Sequence, residues 1–195
     1  MDDLRHSYRL QTRGAGGKEN LSNRNKDPIK KGEARNRIKD LDQLEVRIRP
    51  ADEGDNNLIY SSWLKSYAGL NKDIPRLVTF KIHAPVVQRI LERSITLVAC
   101  DKHDGENVYA WLTAERTPKF LILHFAYTKA AFRRWGLQKA LAAAFDYKRG
   151  EQIMSSHRSH IFKKLRSRGH NVLHVPHLQH PEGAEHVSIA YGLQK

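Results

Sequence analysis

The sequence predicts an α/β (α+β) layered domain over residues 45–195, preceded by a basic N-terminal arm over residues 1–44. Three observations carry this. Apolar residues are sparse up to Leu44 and ordinary from Val46 onward. From Val46 the apolar spacing switches between the period of two of a strand and the three-to-four of a helix. The run Phe120-Leu121-Ile122-Leu123 is continuously apolar, as expected of a central strand covered on both faces.

Each element follows from local pattern. The arm carries eleven Lys/Arg against seven Asp/Glu, broken by Gly14-Ala15-Gly16-Gly17 and Asp27-Pro28. It is too polar to bury a core of its own, although Lys31 to Leu44 could form a short helix. Val46-Arg47-Ile48-Arg49 alternates like a half-buried strand ended by Pro50. Asp52 or Asp55 offers an N-cap for a helix carrying Leu58, Ile59, Trp63 and Tyr67 and closed by Gly69. Val86, Val87, Ile90 and Leu91 mark a second helix, opened by Pro85. Strands follow at Ile95–Cys100, Val108–Ala114 and Lys119–Thr128, joined by the turns Asp101–Glu106 and Thr117-Pro118. After the loop Lys129–Trp135 comes a helix from about Gly136 to Lys148. Gln152–Ser155 reads as a short strand, and His160–Arg168 as a basic helix stopped by Gly169. Strands at Val172–Val175 and Val187–Tyr191 close the domain.

The formal net charge is +13 with a pI of about 10.0, which favours polyanionic partners. Through residues 1–44 these would be nucleic acid or neighbouring protein subunits in an oligomer or larger complex. The single cysteine, Cys100, follows an apolar run and reads as buried; a chain with one cysteine has no intrachain disulfide and suits a reducing compartment. No segment approaches the ~20 apolar residues of a membrane span, and residues 1–6 lack a signal-peptide core. The expected location is the cytoplasm, without a membrane partner. His170, His174, His177 and His180 would align as ligands only on a helix. Val172, Val175 and Pro176 argue for strand and turn there, so no metal is expected.

The stretch Leu123–Leu141 is the most informative for chemistry. A central strand ends, a loop with two arginines turns, and a glycine opens a helix. A helix start exposes backbone N–H groups and the positive end of the dipole, where phosphate binds. Gly136 would let a pyrophosphate approach the backbone, and Arg133 and Arg134 would add charge-assisted bonds.

Here the chain resembles the GNAT N-acetyltransferase superfamily, whose signature is Gln or Arg, two free positions, Gly, one free position, then Gly or Ala. The sequence reads Arg133-Arg134-Trp135-Gly136-Leu137-Gln138, so two of three defined positions match and Gln138 replaces the small residue. The resemblance extends over about residues 46–192 through the order of elements. It implies a mixed, mainly antiparallel central sheet flanked by helices, with acetyl-CoA as co-substrate. It places the pantetheine on the backbone of Ala126, Tyr127 and Thr128, and the pyrophosphate on Arg133, Arg134, Trp135, Gly136, Leu137 and Gln138. It also implies acetyl transfer to an amine. The acid position on the family's fourth helix holds Leu165 instead of Tyr, and the base position on its fourth strand holds Ile122. His124, two residues on, is the alternative base, with Tyr127 and Glu115 as further candidates and a packed histidine as the competing reading of His124. The missing Tyr and the long arm keep a second function open: a non-catalytic assembly protein of the same fold. GNAT-like proteins also occur in bacteriophage genomes, so a virion or head–tail component of a phage-type member is one form of it.

The division into arm and domain predicts a pattern of proteolysis. Trypsin should clip the isolated protein within its first forty-odd residues and stop near Val46. An arm that resists trypsin would instead be integral to the fold.

Overall fold

The computed structural model describes residues 41–159, 161–180 and 182. The arm up to Asp40 and the strand expected at Val187–Tyr191 lie outside these residues. Six strands form one sheet in the order β1-β2-β3-β4-β5-β6: Val46–Pro50, Ile95–Asp101, Val108–Arg116, Phe120–Thr128, Gln152–Ser155 and Asn171–His174. The first four are antiparallel neighbours, whereas β4, β5 and β6 run parallel. Parallel neighbours need crossovers. Helix α3 (Leu137–Ala144) joins β4 to β5, and α4 (Ile161–Arg166) joins β5 to β6. This mixed, mainly antiparallel sheet flanked by helices is the fold class expected, in the element order the resemblance implied.

Two helices, α1 (Asn56–Leu70) and α2 (Arg76–Arg93), cover one face of the sheet. Ile59, Trp63 and Leu64 of α1 and Val87 and Ile90 of α2 pack there with Val98, Cys100, Val108 and Trp111. On the other face, Leu137, Leu141 and Phe145 press on Ala99, Ala110, Leu112, Ala114 and Leu121. Leu41 and Leu44, from a 3-10 turn, join that second cluster. The packed part of the chain therefore begins by Leu41, slightly before the boundary read from composition.

Of the two acidic N-cap candidates, Asp52 caps through its side chain, while Asp55 stands at the start of α1 without a side-chain cap bond to it. Asp52 caps a 3-10 turn, Glu53–Asp55, by accepting from Gly54 N at 3.0 Å, and Asp52 N donates back to Asp55 at 3.0 Å. Buried Asp55 also holds Arg49 of β1 bidentately, at 2.6 and 3.1 Å. The turn passes directly into α1, which runs through Gly69 and ends at Leu70.

Helix α2 corrects the sequence reading. It starts after Pro75, and Pro85 lies inside it rather than opening it. The buried stripe is Thr79, His83, Val87 and Ile90, with helical spacing throughout. Its first two members are polar, while Leu77, Val78 and Ile82 are exposed, so a search for apolar period alone misses the first half. Pro85 removes one i→i−4 donor. Helix α3 is shorter than expected, because Asp146 just beyond it takes a positive φ of 55° and turns the chain.

The α1–α2 core is centred on aromatic stacking. Trp63 lies 4.9 Å from Phe125 and 5.7 Å from Trp111, and the Trp111 indole donates to Ser62 at 3.0 Å. Trp63→Ala should therefore cost about 3–5 kcal/mol in chemical denaturation. Leu77→Ala, on the exposed face of α2, should stay within about 0.5 kcal/mol of the parent.

Candidate functional site

The site is set by how β5 leaves β4. The parallel ladder pairs Phe120 with Gln152 and ends at Leu123 with Ser155. Ser156 N still reaches the Leu123 carbonyl at 3.3 Å. Beyond that point no strand lies beside Phe125–Thr128 on this edge among the described residues. The antiparallel ladder fixes which groups face the gap. Lys129 N donates to the Tyr109 carbonyl at 2.9 Å, so this is a hydrogen-bonded pair. Such pairs recur at every second residue, which makes Trp111 and Tyr127 the next. Ala126 and Thr128 therefore turn their N–H and C=O groups toward the gap. Tyr127 does not: its backbone faces β3, and its carbonyl accepts from Gln138 Nε2 at 2.7 Å. Of the three backbone positions expected to pair with pantetheine, two are oriented to do so.

The loop after β4 forms a 3-10 turn at Ala130–Phe132 and then takes two left-handed residues, Arg134 (φ 74°) and Gly136 (φ 79°). A non-glycine residue at positive φ is uncommon. Gly136 is the N-cap of α3, and helical Leu137 follows it. This change of hand brings successive N–H groups of residues 136–138 into one concavity, the geometry of an anion-binding nest at a helix start. A Cβ on Gly136 would meet nothing within 4 Å, so the space in front of it is open. The glycine is needed for its φ, not for lack of room. Arg133 and Arg134 are both exposed at this turn.

Gln138 explains why a large residue can stand where the resemblance calls for a small one. Its amide reaches inward to Tyr127, to Thr128 Oγ1 at 3.0 Å and to the Trp111 carbonyl at 3.3 Å. The side chain thus fastens α3 to the ends of β3 and β4 rather than filling the turn. Half-buried Trp135 packs against the cluster beneath α3, beside the loop, as does Phe132.

On the α1–α2 face the structure brings two of the three catalytic candidates together. His124 Nε2 lies 2.7 Å from Glu115 Oε1, and the same oxygen accepts from Arg93 Nε at 3.0 Å and Ser94 Oγ at 3.2 Å. A register shift between β3 and β4 near Thr113 and Ala114 makes this possible. Two successive residues of β4 reach the same face: His124 bonds to Glu115, while Phe125 stacks on Trp63. Tyr127 stays apart, half-buried with its ring 6.2 Å from Trp111. Ile122 packs with Phe120, Met154 and Leu178, and Leu165 lies against Ile153, Phe162 and Val172, so neither offers a proton.

The structure adds three residues that sequence reasoning missed. His124 Nδ1 is 2.9 Å from Ser156 Oγ, which is 2.8 Å from His157 Nδ1, and His157 Nε2 is 2.9 Å from His83 Nε2. His83 stacks on Tyr67 at 3.8 Å. All three histidines are at most 4% exposed. His124 is thus a packed histidine with both ring nitrogens bonded, and it cannot touch a substrate directly. The available signal was weak: His157 follows the short strand Gln152–Ser155, beside the level of His124.

Electrostatics keep these rings neutral. Burial lowers the pKa of His83 to about 4 and drives that of His157 well down, with the other histidines adding repulsion. Burial also lowers that of His124, more than Glu115 restores it. Burial alone would raise the Glu115 carboxyl; its bonds and charge interactions with His124 and Arg93 outweigh this and hold it below the usual range. Among the described residues no group of three or more His, Cys, Asp or Glu could hold a metal ion. His174 lies in β6 and His177 in a 3-10 turn, while His170 pairs with Tyr147 at 2.8 Å.

No family model matches the chain, and no curated protein matches it. Solved structures with a similar fold exist. A "possible acetyltransferase" from Clostridium difficile 630 is 18% identical, with 63% of this chain and 87% of that one covered and a TM-score of 0.42. A transcriptional regulator from Bacillus halodurans C-125 is 17% identical, with 66% and 79% covered and a TM-score of 0.32. AAC(6')-Iy, solved with a bisubstrate analogue, CoA-S-monomethyl-acetylneamine, is 15% identical, with 77% and 91% covered and a TM-score of 0.33. These likenesses concern the fold; the chemistry of the site rests on the chain's own geometry.

Three neutral buried histidines make stability depend on pH. Each binds a proton more readily in the unfolded chain, near pH 6.5, than in the folded one. Their contribution is full above about pH 6.5 and declines as pH falls below it. Urea denaturation should show stability dropping between pH 7 and pH 5. His83→Gln should reduce that slope by roughly one proton. A slope unchanged by the substitution would place His83 in a solvated setting.

Proposed function

We propose that the chain is an N-acyltransferase that moves an acetyl group from acetyl-CoA to an amine. One observation carries this reading. The half of β4 past its ladder with β5, unpaired on that edge among the described residues, presents the backbone of Ala126 and Thr128 beside a left-handed turn and helix start flanked by Arg133 and Arg134. An extended, amide-bearing chain that ends in a pyrophosphate matches both parts. The pantetheine amides would pair with β4 as a missing strand would. The pyrophosphate would take the N–H groups of residues 136–138 and the arginine charges. The thioester would then lie toward the point where β4 and β5 separate, near His124 and Ser156.

The reaction needs little more than placement and proton transfer. The neutral amine attacks the thioester carbonyl, a C–N bond forms, and the C–S bond breaks. The nucleophile sheds a proton to a base, and the leaving thiolate takes one up. Glu115 and His124 belong to the base side of this scheme. The family's Tyr on α4 is absent; Tyr67, stacked on His83, and Tyr127, near Trp111, are the phenols on this face that could protonate the thiolate.

A second reading is favoured by one observation. Leu165, at the usual acid position, is built into an apolar cluster. On that reading the fold serves as an assembly module, with residues 1–44 contacting neighbouring subunits or nucleic acid.

Calorimetry separates the two. Acetyl-CoA should bind in the micromolar to millimolar range. Gly136→Asp should abolish binding, through repulsion of the pyrophosphate. Gly136→Ala should keep binding while costing about 1–2 kcal/mol of stability for the left-handed φ. No heat with the intact protein, or equal binding by the Asp variant, would overturn the acyltransferase reading.

A further inference from the structure

The buried polar groups on the α1–α2 face form one unbroken chain across four segments of sequence. Arg93 and Glu115 lie at one end, followed by His124, Ser156, His157 and finally His83, with every link between 2.7 and 3.0 Å. From this geometry we infer that the chain is a proton relay between His83, whose partner His157 packs on Phe125 of β4, and the carboxylate of Glu115, which opens to solvent. Its service in catalysis rests on the acyltransferase reading above.

Chemistry allows only one arrangement of hydrogens for three neutral rings and an ionised Glu115. A carboxylate only accepts. His124 Nε2 must therefore donate to Glu115, which leaves Nδ1 as an acceptor. Ser156 Oγ–H donates to that nitrogen and must itself accept from His157 Nδ1–H. His157 Nε2 is then an acceptor, so His83 donates from Nε2. Every donor points toward Glu115. The remaining nitrogen, His83 Nδ1, keeps a free lone pair, with no hydrogen-bond partner among the described residues. This direction is imposed from one end, where Arg93 and Ser94 fix the charge of Glu115.

The ends differ in a way that suits transfer. The Glu115 side chain is 24% exposed, whereas Ser156, His157 and His83 are buried. Toward the other end the His157 ring meets Phe125, two residues beyond the ladder of β4 with β5, at 6.0 Å, and Trp63 at 5.3 Å. His157, one link in from His83, thus packs beside the part of β4 past its ladder with β5, and the outer end leads to water.

The transfer balances. A proton shed by the amine nitrogen as its bond to the thioester carbon forms enters at His83 Nδ1. The Nε2 proton of His83 passes to His157 Nε2, and the Nδ1 proton of His157 passes to Ser156 Oγ. The Ser156 hydroxyl proton passes to His124 Nδ1, and the Nε2 proton of His124 passes to Glu115 Oε1. Each intermediate group gains one proton and loses one, Glu115 becomes neutral, and solvent removes its proton. No oxidant, reductant or metal takes part. Burial disfavours a positive charge on any of the rings, so the transfer requires the protons to shift together.

Two substitutions test this on the full-length protein: Ser156→Ala, which cuts the middle, and Glu115→Gln, which blocks the outlet with an amide of equal size. Nitrogen-15 imidazole spectra of the parent should show His124 and His83 protonated at Nε2 and His157 at Nδ1. Solvent exchange of the His157 ring proton should slow in both variants. In acetyl transfer from acetyl-CoA, kcat should fall about 10²-fold or more while the calorimetric affinity for acetyl-CoA stays unchanged. Opposite tautomers, or exchange as fast in both variants as in the parent, would overturn the relay. Absence of acetyl-CoA binding in the parent would overturn the acyltransferase reading and the relay's part in it. The spectra and exchange rates judge proton movement separately.

Discussion

The site depends on one irregularity in the sheet, the register shift between β3 and β4 near Thr113 and Ala114. A regular strand alternates its side chains between faces, so His124 and Phe125 would point in opposite directions. The shift lets both serve the α1–α2 face. Phe125 completes the stack with Trp63 and Trp111, while His124 reaches Glu115 on the neighbouring strand. A bulge also bends its strand and increases local twist. That fits the place where β5 stops following β4, one residue earlier at Leu123. The apolar stack, the polar chain and the open edge thus share a structural origin.

A buried polar chain is costly unless every member is satisfied. Here most of the cost is met by mutual bonding, with Ser156 bridging two imidazoles and Glu115 accepting from three donors, while Arg93 Nη1 is buried without a hydrogen-bond partner among the described residues. The arrangement fixes more than protons. It ties α2, β3, β4 and the segment after β5 to one another, in a region where the ladder between β4 and β5 has ended. Arg93 extends the tie by donating to the Leu178 carbonyl. Satisfied networks of this kind specify one arrangement of a core.

Much of the fold could be read from the sequence because its strands are strongly patterned. Gln152–Ser155 and the end of the central strand at Thr128 lie where alternation and apolar runs placed them. The turn at Gly136 was readable because a glycine between arginines and a helical stripe has few other uses. The first half of α2 was hidden because Thr79 and His83 replace apolar residues on its buried stripe. The polar chain was less legible for a different reason. Its members come from residues 83, 93, 115, 124, 156 and 157, and no local period joins residues so far apart. Ser156 carries no sequence signal at all; its role exists only once β5 and β4 are parallel neighbours.

The sheet separates two kinds of work. On the α3 side, charge and backbone N–H groups gather at Arg133, Arg134 and Gly136, suited to an anionic ligand. On the α1–α2 side, the three histidines of the chain are buried and neutral, and its charge is confined to the Glu115–Arg93 pair. Gln138 crosses between these regions by bonding to the carbonyls of Trp111 and Tyr127, whose rings belong to the α1–α2 core. Gln138 gives the helix start a polar anchor on β3 and β4 that a glycine or alanine could not supply. Its presence in place of a small residue follows from that anchoring and leaves the space before Gly136 open.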